Sequence, residues 1–336
     1  MADAPLLEVR DLRTSFQTRR GHLRAVDGVG FTVARGETVA IVGESGSGKS
    51  VTAMSILRLF GRTDHAVIEG KVLWNDRDGA TRDLLGLDDR RLRDVRGREI
   101  AMIFQDPSAS LDPVFTIGEQ ISEAIARHRP ADAARARAVA VELLRDVGIA
   151  DPERRARSYP HQLSGGMRQR VMIAIALACA PRLLIADEPT TALDVTIQAQ
   201  ILRLLADLKA ARGMGLLFIT HDLALVGEIA DRVVVMYAGQ VVETGATAAV
   251  LAAPRHPYTR ALLECRPERR YRDDGPDQRV LRPIAGAPPR PGDVAPGCRF
   301  AARCTLAEDG CRAGPVALID VAPGRASRCR RWQALP

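Results

Sequence analysis

A glycine-rich segment with one lysine and three serines, residues 43–50, reads G-E-S-G-S-G-K-S. Its glycines let the backbone bend so that successive N–H groups point inward, where they bind phosphate oxygens. The ammonium group of Lys49 reaches the β- and γ-phosphates of a nucleotide, and the hydroxyl of Ser50 is a ligand for Mg²⁺. Lys49 is one of three lysines among 48 Lys and Arg residues. We predict nucleotide binding at Gly43, Glu44, Ser45, Gly46, Ser47, Gly48, Lys49, Ser50 and Val51.

Two predicted elements position this loop. Residues 38–42 form an apolar run typical of a buried strand, and residues 51–60 show helical periodicity. The same kinds of pattern predict elements elsewhere in the chain: strands at residues 6–12 and 31–33, a charged helix at 84–96 and helical structure over 114–149. A helix that begins directly after the loop adds its positive dipole end to a phosphate site. A glycine-rich turn that binds nothing is the alternative, and the order of strand, loop and helix favours phosphate binding.

A pair of adjacent carboxylates follows a second predicted strand. Asp187 and Glu188 come directly after residues 182–186, which have the pattern of a buried strand. Two acids at the end of a buried strand are costly to bury without a cation. We therefore predict that Asp187 is a ligand of Mg²⁺ and that Glu188 is the general base that polarises an attacking water.

Three further side chains could complete the site. Gln105 follows the buried-strand pattern of residues 99–104, and His221 follows that of residues 216–220. Both are therefore expected at strand ends, where α/β sheets bind ligands. Gln105 could coordinate Mg²⁺ or orient water, or it could cap its strand. His221 could contact a γ-phosphate, or it could be a hydrogen-bonded core histidine. Phe16 could stack on a nucleobase or pack in the core.

A second candidate anion site is the Ser164-Gly165-Gly166 segment, which opens a predicted helix that ends near Ala180. This triplet alone is a common way to begin a helix. The longest apolar run, residues 171–180, is far shorter than the roughly 20 residues of a membrane span. Residues 1–5 lack the apolar segment of a signal peptide. We therefore expect a cytosolic protein, or one attached to a membrane only through partners.

The composition changes near residue 254. The chain has 336 residues, which suggests one large domain with an appendage. Residues 255–336 contain 16 Arg against nine Asp and Glu, and therefore carry the whole net charge of +7. They also hold most of the prolines. A basic tail could bind nucleic acid or anionic lipid, but its interspersed acids favour a solvated surface.

Four of the six cysteines cluster in this tail. Stable disulfides are disfavoured in a cytosolic protein, and a short Pro-rich segment with little core favours a metal-centred fold. The absence of C-x₂-C pairs weakens a zinc site. Each clustered cysteine has an Arg neighbour, whose charge is expected to favour the thiolate. We expect Cys179 and Cys265 to be inert. The clustered residues are Cys298, Cys304, Cys311 and Cys329.

Together and in this order, these segments resemble the ATP-binding subunits of ABC transporters. The resemblance runs from the N-terminus to about residue 265 and continues into the tail. It implies an α/β fold with a P-loop NTPase core, an antiparallel β subdomain, a helical subdomain at about 106–165 and a small Cys- and Pro-rich C-terminal extension. We place the nucleotide-binding domain at residues 1–260 and the extension at residues 261–336.

The resemblance assigns a role to each motif. Residues 43–50 match the Walker A loop, and residues 183–187 match Walker B, followed by Glu188 as general base. Gln105 matches the Q-loop, His221 the switch histidine and Phe16 the adenine-stacking aromatic. The implied cofactors are ATP and Mg²⁺. The implied ligands of Mg²⁺ are Ser50, Gln105 and Asp187.

The same resemblance explains the second anion site. In this family two subunits pair head-to-tail, and ATP is held between the Walker A loop of one and the signature motif of the other. The D-loop, here Ala192-Leu193-Asp194, lies at the same junction. The residues implied to bind the partner's ATP are Leu163, Ser164, Gly165, Gly166, Met167 and Asp194.

Narrower segments look like the dipeptide/oligopeptide and nickel importer branch. They are F-Q-D-P at residues 104–107, M-Y-A-G at 236–239 and R-H-P-Y-T at 255–259. This implies a peripheral ATPase at the cytoplasmic face of the membrane that powers peptide import as part of a translocase. Its partners would be two transmembrane permease subunits, an extracytoplasmic substrate-binding protein and a second ATPase, with no nucleic acid. A heterodimer is implied because a sister subunit carries Gln at the position of Met167.

Some members of this branch hold a [4Fe–4S] cluster in the extension. The resemblance therefore favours such a cluster at the four cysteines over free thiols, with zinc third. Three other readings stay open: import of nickel or another small solute, a soluble ABC-type ATPase acting on nucleic acid, and a metal-sensing module. The transported substrate does not follow from this chain, because other subunits select it.

Overall fold

The computed structural model describes residues 4–18, 21–128, 132–191, 193–265, 283–289 and 296–335. Within these ranges the strands begin and end as follows: β1 (Leu7–Thr18), β2 (Gly21–Val33), β3 (Thr38–Val42), β4 (Ala66–Asn75), β5 (Thr81–Asp83), β6 (Ile100–Ile103), β7 (Leu183–Asp187), β8 (Gly215–Thr220), β9 (Arg232–Tyr237), β10 (Gln240–Ala246), β11 (Ile319–Ala322) and β12 (Arg325–Ser327).

The helices lie between these strands along the chain. They are α1 (Lys49–Ile56), α2 (Asp89–Val95), α3 (Pro107–Ser110), α4 (Ile117–His128), α5 (Ala133–Asp146), α6 (Pro152–Ala156), α7 (Gly165–Leu177), α8 (Val195–Arg212), α9 (Leu223–Ile229), α10 (Thr247–Ala252), α11 (Pro257–Glu264) and α12 (Asp309–Arg312). No helix of the described ranges is long and apolar enough to cross a membrane.

The described strands form two sheets. The smaller sheet is antiparallel and has the order β2-β1-β4-β5. The larger sheet has the order β11-β12-β10-β9-β3-β8-β7-β6, in which β9 to β6 are parallel. All residues of β3, β7 and β8 are buried. This is expected for parallel strands that are covered on both faces of the sheet. The carboxyl ends of β3, β6, β7 and β8 therefore meet at one edge.

The core is divided by the larger sheet. One apolar cluster joins a face of this sheet to α4, α5, α7 and α8. A second cluster packs the antiparallel sheet and α1 against the other face, with Trp74 fully buried. The helices α3 to α6 lie within the region predicted as a helical subdomain. The predicted fold, a P-loop core with an antiparallel sheet and helical parts, is therefore confirmed.

Individual elements differ from their sequence-based bounds. The two strands predicted at residues 6–12 and 31–33 are longer, because β1 and β2 pair as one extended hairpin from Leu7↔Val33 to Thr18↔Gly21. The single helix expected at 84–96 is a short 3₁₀ turn followed by α2, whose start is capped by Asp88. The region 114–149, predicted as helical, contains the separate helices α4 and α5.

The C-terminal extension continues the larger sheet. Strand β12 pairs with β10 through Glu243↔Ser327, and β11 pairs with β12. Phe300 is buried in a third apolar cluster with Tyr237 and Tyr258. Helix α11 spans the predicted domain boundary at residue 260. The extension therefore packs directly on the part of the chain that carries the nucleotide motifs.

Candidate functional site

The glycine-rich loop follows β3 and leads directly into α1. A Cβ atom at Gly43 would lie 2.2 Å from the backbone oxygen of Met236, and one at Gly48 would lie 2.6 Å from that of Ala25. Gly48 also has the left-handed φ of 98°. Only glycine lets the loop pass this close to two neighbouring backbones. The fold thus holds the loop at the carboxyl end of β3.

Lys49 lies behind the loop and is 4% exposed. Its Nζ donates hydrogen bonds to the backbone oxygens of Gly43 (2.9 Å) and Glu44 (3.1 Å), and lies 3.7 Å from Oε1 of Glu188. Burial lowers the pKa of Lys49, while Glu188 and Asp187 oppose this shift. The ammonium group is therefore held between the loop and the acidic pair.

Ser50 and Asp187 join the first turn of α1 to the end of β7. The Oγ of Ser50 donates a hydrogen bond of 2.9 Å to Oδ1 of Asp187. Burial raises the pKa of Asp187, and the hydrogen bond from Ser50 opposes this shift. A hydroxyl and a carboxylate oxygen are ligands that Mg²⁺ accepts, and it is typically bound by one or two carboxylates together with phosphates. This pair fits a magnesium ion.

Glu188 is the point where the polar side chains of the site converge. Its Oε2 accepts hydrogen bonds from Nε2 of Gln105 (3.2 Å) and Oγ1 of Thr191 (2.9 Å), and lies 3.2 Å from Nδ1 of His221. The side chain is 12% exposed. Its backbone has the left-handed φ of 45°, which is uncommon for a residue with a Cβ. The carboxylate is thus fixed in direction and still reachable by water.

A cavity of about 740 Å³ lies in front of these groups. Gly43, Ser47 and Asp187 are not part of its wall, and the last two are buried. The structure brings most of the predicted ATP-site residues to this wall. They are Phe16, Glu44, Ser45, Gly46, Gly48, Lys49, Ser50, Val51, Gln105, Glu188 and His221.

Further residues line the same cavity without having been predicted. Phe16 packs edge-to-face on Phe60, with ring centroids 5.4 Å apart. In the β1–β2 hairpin, Phe16 lies opposite Leu23. The hairpin pairing is the signal that could have revealed Leu23 and its neighbours. No local pattern indicates the others, which come from distant segments. The additional residues are Leu23, Arg24, Ala25, Ala238, Leu262 and Pro289.

The second predicted anion site lies apart from this cavity. Ser164 is the N-cap of α7, where its Oγ accepts a hydrogen bond from the Met167 N–H, and both Ser164 and Gly165 are exposed. Leu163 is buried in the core, and Asp194 caps α8. None of the six residues assigned to the partner's ATP lines the cavity of the same chain. Their action across a dimer stays a prediction, and Ala192 lies outside the described residues.

The four clustered cysteines surround one small cavity of about 20 Å³. Burial raises the pKa of Cys298 and Cys304, and raises that of Cys329 to about 11. The expectation that neighbouring arginines favour thiolates is therefore wrong for these three. The guanidinium groups of Arg299 and Arg303 bind Asp27 and Glu44 instead of the sulfurs.

The cysteine cavity does not support the predicted cluster. Among the described residues, no group of three or more His, Cys, Asp or Glu side chains is placed to hold a metal ion. A cavity of about 20 Å³ has room for about one water, far less than a [4Fe–4S] cluster occupies. The thiols as arranged here therefore do not fit this group.

Two family profiles match the chain. The ABC transporter family matches residues 26–191, which contain the loop, the acidic pair and the α7 N-terminus. The C-terminal region of oligopeptide/dipeptide transporters matches residues 242–311. The first match contains the part of the cavity wall formed by the loop, Gln105 and Glu188, and the second covers most of the extension.

Relatives match along almost the whole chain. A putative peptide import ATP-binding protein of Brucella melitensis is 50% identical over 100% of this chain and 99% of its own length. A probable peptide ABC transporter ATP-binding protein of Sinorhizobium fredii is 52% identical over 97% of this chain and 95% of its own.

Solved structures match the nucleotide-binding part. A bacterial ABC transporter cassette solved as a dimer has a TM-score of 0.62 and 30% identity, and covers 72% of this chain and 98% of its own. The same cassette dimer in a post-hydrolysis state with ADP and phosphate gives the same values. CbiO1 of Clostridium perfringens has a TM-score of 0.59 and 27% identity, and covers 74% of this chain and 92% of its own.

Proposed function

This chain belongs to the ABC transporter family of ATP-binding proteins, in its oligopeptide/dipeptide branch, and we propose that it hydrolyses ATP to drive the import of peptides. The observation that carries the hydrolytic part is the convergence of Gln105, Thr191 and His221 on the carboxylate of Glu188. The peptide part rests on the full-length relatives, which are named as peptide import proteins.

ATP binds in the cavity of about 740 Å³. The N–H groups of residues 43–50 hold the phosphates, and the ammonium of Lys49 offsets the charge of the β- and γ-phosphates. The ring of Phe16 packs against the base at the opposite end. Ser50 and Asp187 hold Mg²⁺, with Gln105 as a further ligand. When bound, this ion neutralises charge on the phosphate oxygens.

Glu188 acts as the general base. Its carboxylate accepts a proton from a water that attacks the γ-phosphate, while the bond from that phosphate to ADP breaks and ADP leaves. The groups around Oε2 keep the carboxylate aimed at the cavity. His221 stands beside Glu188. Its imidazole orients the carboxylate and contacts the phosphoryl group as that group is transferred. Because little covalent chemistry falls to the protein in phosphoryl transfer, this positioning is the main catalytic contribution.

Partner proteins supply the other parts of the transporter. A second ATPase subunit places the N-terminus of its α7 counterpart against the nucleotide, and the exposed Ser164 of this chain does the same in return. Two permease subunits and an extracytoplasmic binding protein carry the peptide, so the chain lies peripherally at the cytoplasmic face of the membrane. A heterodimer of ATPases is our proposal for the pair.

The test is transport-coupled turnover. The complex is purified with its native partners, reconstituted in lipid vesicles and assayed for ATP hydrolysis with binding protein loaded with di- and oligopeptides. We expect hydrolysis that rises with peptide-loaded binding protein and accompanies peptide uptake. Stimulation by Ni²⁺ or another small solute, and not by peptides, would transfer the proposal to that solute.

The iron–sulfur prediction rests on the resemblance: Cys298, Cys304, Cys311 and Cys329 share one cavity, but as arranged they do not fit a [4Fe–4S] cluster. No step of the proposed reaction uses a cluster. Anaerobic purification decides the matter: brown protein with about four irons per chain would establish the cluster, because that is its stoichiometry. Colourless, iron-free protein would exclude it.

A further inference from the structure

An arginine of the C-terminal extension binds the phosphate-binding loop directly. Nη1 of Arg303 donates a hydrogen bond of 2.6 Å to Oε2 of Glu44, and Nη2 donates one of 3.0 Å to Oε1. The pair is bidentate, the strongest form of arginine–carboxylate contact. Arg303 is 5% exposed and Glu44 is 27% exposed, so this ion pair is largely withdrawn from solvent.

Arg303 is held rigidly before it meets the loop. Its Nε donates to the backbone oxygen of Ala285 (3.0 Å), and Nη2 also donates to that of Ile284 (3.2 Å). Its guanidinium lies 5.8 Å from the ring centroids of Tyr237 and Phe300. These partners fix the direction of the side chain, so little side-chain conformational entropy is lost when the guanidinium binds a carboxylate.

Glu44 is tied to the site from its backbone as well. Its N–H donates to the Tyr258 hydroxyl (2.8 Å), and its carbonyl oxygen accepts from the Lys49 ammonium (3.1 Å) and the Ser47 N–H (3.2 Å). Glu44 is also one of the residues that line the nucleotide cavity. A carboxylate on a loop that must receive phosphates repels them unless it is neutralised and held aside.

We propose that Arg303 is a positioning residue of the nucleotide site. It neutralises the Glu44 carboxylate and holds it away from the phosphates, so that the loop stays in its phosphate-accepting form. The inference rests on the proposed binding of ATP, and it makes the extension a working part of the nucleotide site. In the competing interpretation, this ion pair only anchors the C-terminal extension to the nucleotide-binding part of the chain.

The experiment is isothermal titration of the purified full-length chain with MgATP at low temperature. Wild type is compared with Arg303→Gln, Arg303→Lys, Glu44→Gln and the double variant Arg303→Gln/Glu44→Gln. Arg331→Gln is the matched control, because it breaks an ion pair with Glu308 within the same extension, away from the loop. The melting temperature of each variant is measured alongside.

Arg303→Gln should weaken MgATP binding about tenfold, because an unpaired carboxylate then faces the phosphates and fewer loops are competent to bind. Arg303→Lys, which keeps the charge, and the double variant, which removes the carboxylate, should both return to within about threefold of wild type. Arg331→Gln should bind as wild type. An anchoring role predicts no such rescue, since the double variant lacks the anchor as well.

Two results would overturn the inference. One is Arg303→Gln binding MgATP as tightly as wild type, and the other is a double variant that binds as weakly as Arg303→Gln. If wild type itself does not bind MgATP, the proposed function fails first, and the two failures are thereby distinguished. If Arg303→Gln does not fold, Arg303→Lys and Glu44→Gln still test the role of the charge. Weaker MgATP binding in either variant, with an unchanged melting temperature, contradicts the inference.

Discussion

Nδ1 of His221 lies 3.2 Å from Oε2 of Glu188, the same oxygen that accepts the amide of Gln105. The two residues come from the ends of β8 and β7, which are adjacent in the parallel sheet. One carboxylate oxygen is thus oriented by side chains from three strand ends. The geometry separates two tasks, because the loop and Lys49 hold phosphate while Glu188 and its neighbours act on water.

Replacing His221 by Ala should separate binding from hydrolysis. The imidazole is 56% exposed and touches Glu188 rather than the loop, so its loss should leave the fold and the affinity for ATP nearly unchanged. Hydrolysis should fall roughly 100-fold, the usual contribution of one positioned group in proton transfer. Steady-state phosphate release and equilibrium ATP binding measure the two effects. An equal loss in both would contradict the separation.

Replacing Ser50 by Ala should weaken the dependence of ATP binding on Mg²⁺. The hydroxyl that bonds Asp187 is lost, and the remaining carboxylate is a poorer ion site. We expect about tenfold weaker binding of MgATP, with little change for ATP in EDTA. Thr52→Ala is a control on the same helix, because its hydroxyl bonds the backbone of Gly48 instead of Asp187. Equal losses with and without Mg²⁺ would exclude Ser50 as a ligand.

Replacing Ser164 by Arg should damage the partner's ATP site and spare its own. Ser164 is exposed at the start of α7 and does not line the cavity of its own chain. The isolated subunit should therefore bind ATP as wild type, while ATPase activity of the assembled complex should be nearly lost. Asp132→Ala removes another exposed helix cap, that of α5, and should leave the complex active. Lost affinity in the isolated Ser164→Arg subunit would contradict a role across the dimer.

Acid should destabilise the protein through His256. This histidine is 1% exposed and its Nδ1 accepts the N–H of Tyr258, and burial lowers its pKa to about 3. In the unfolded chain a histidine takes up a proton below about pH 6.5. Between about pH 3 and pH 6.5 the unfolded state therefore binds more protons than the folded state. The free energy of unfolding should therefore decrease as pH falls from 6.5 toward 3, by at most about 1.4 kcal/mol per pH unit.

The variant His256→Asn isolates this effect. Asn keeps a side-chain oxygen that can cap α11 but does not titrate. Urea unfolding at pH 7 and pH 5 should show a loss of stability in wild type that exceeds the loss in His256→Asn by about 2 kcal/mol. Parallel losses in the two proteins would show that other groups cause the acid sensitivity.

The sequence predicted the parts of the site that depend on local pattern. The loop at residues 43–50 and the acids Asp187 and Glu188 follow apolar strands, so their place at one sheet edge could be inferred from order alone. The fold class was predictable for the same reason. Contacts between distant segments were not, because nothing near Glu44 in the sequence indicates Arg303, which lies in the last part of the chain.

The cysteine region shows the limit of reasoning from neighbours in sequence. Arg303 stands next to Cys304 in the chain, yet its guanidinium points to Glu44, and burial dominates the pKa of the thiol. Adjacent residues in an irregular segment often face different partners, so a charge one position away is a poor guide to a thiol's surroundings. Leu262 and Pro289 were not expected in the cavity wall because they are distant in sequence from the loop that lines the same cavity.

The most direct test of the central claim is the ATPase activity of Glu188→Gln in the assembled complex. Gln keeps the shape and the hydrogen-bond acceptor of Glu188 but cannot take a proton, so ATP binding should stay within about threefold of wild type. Hydrolysis should fall by at least roughly 100-fold, and the ATP-bound dimer should accumulate. Steady-state turnover within a few-fold of wild type, with binding intact, would contradict the role of Glu188 as general base.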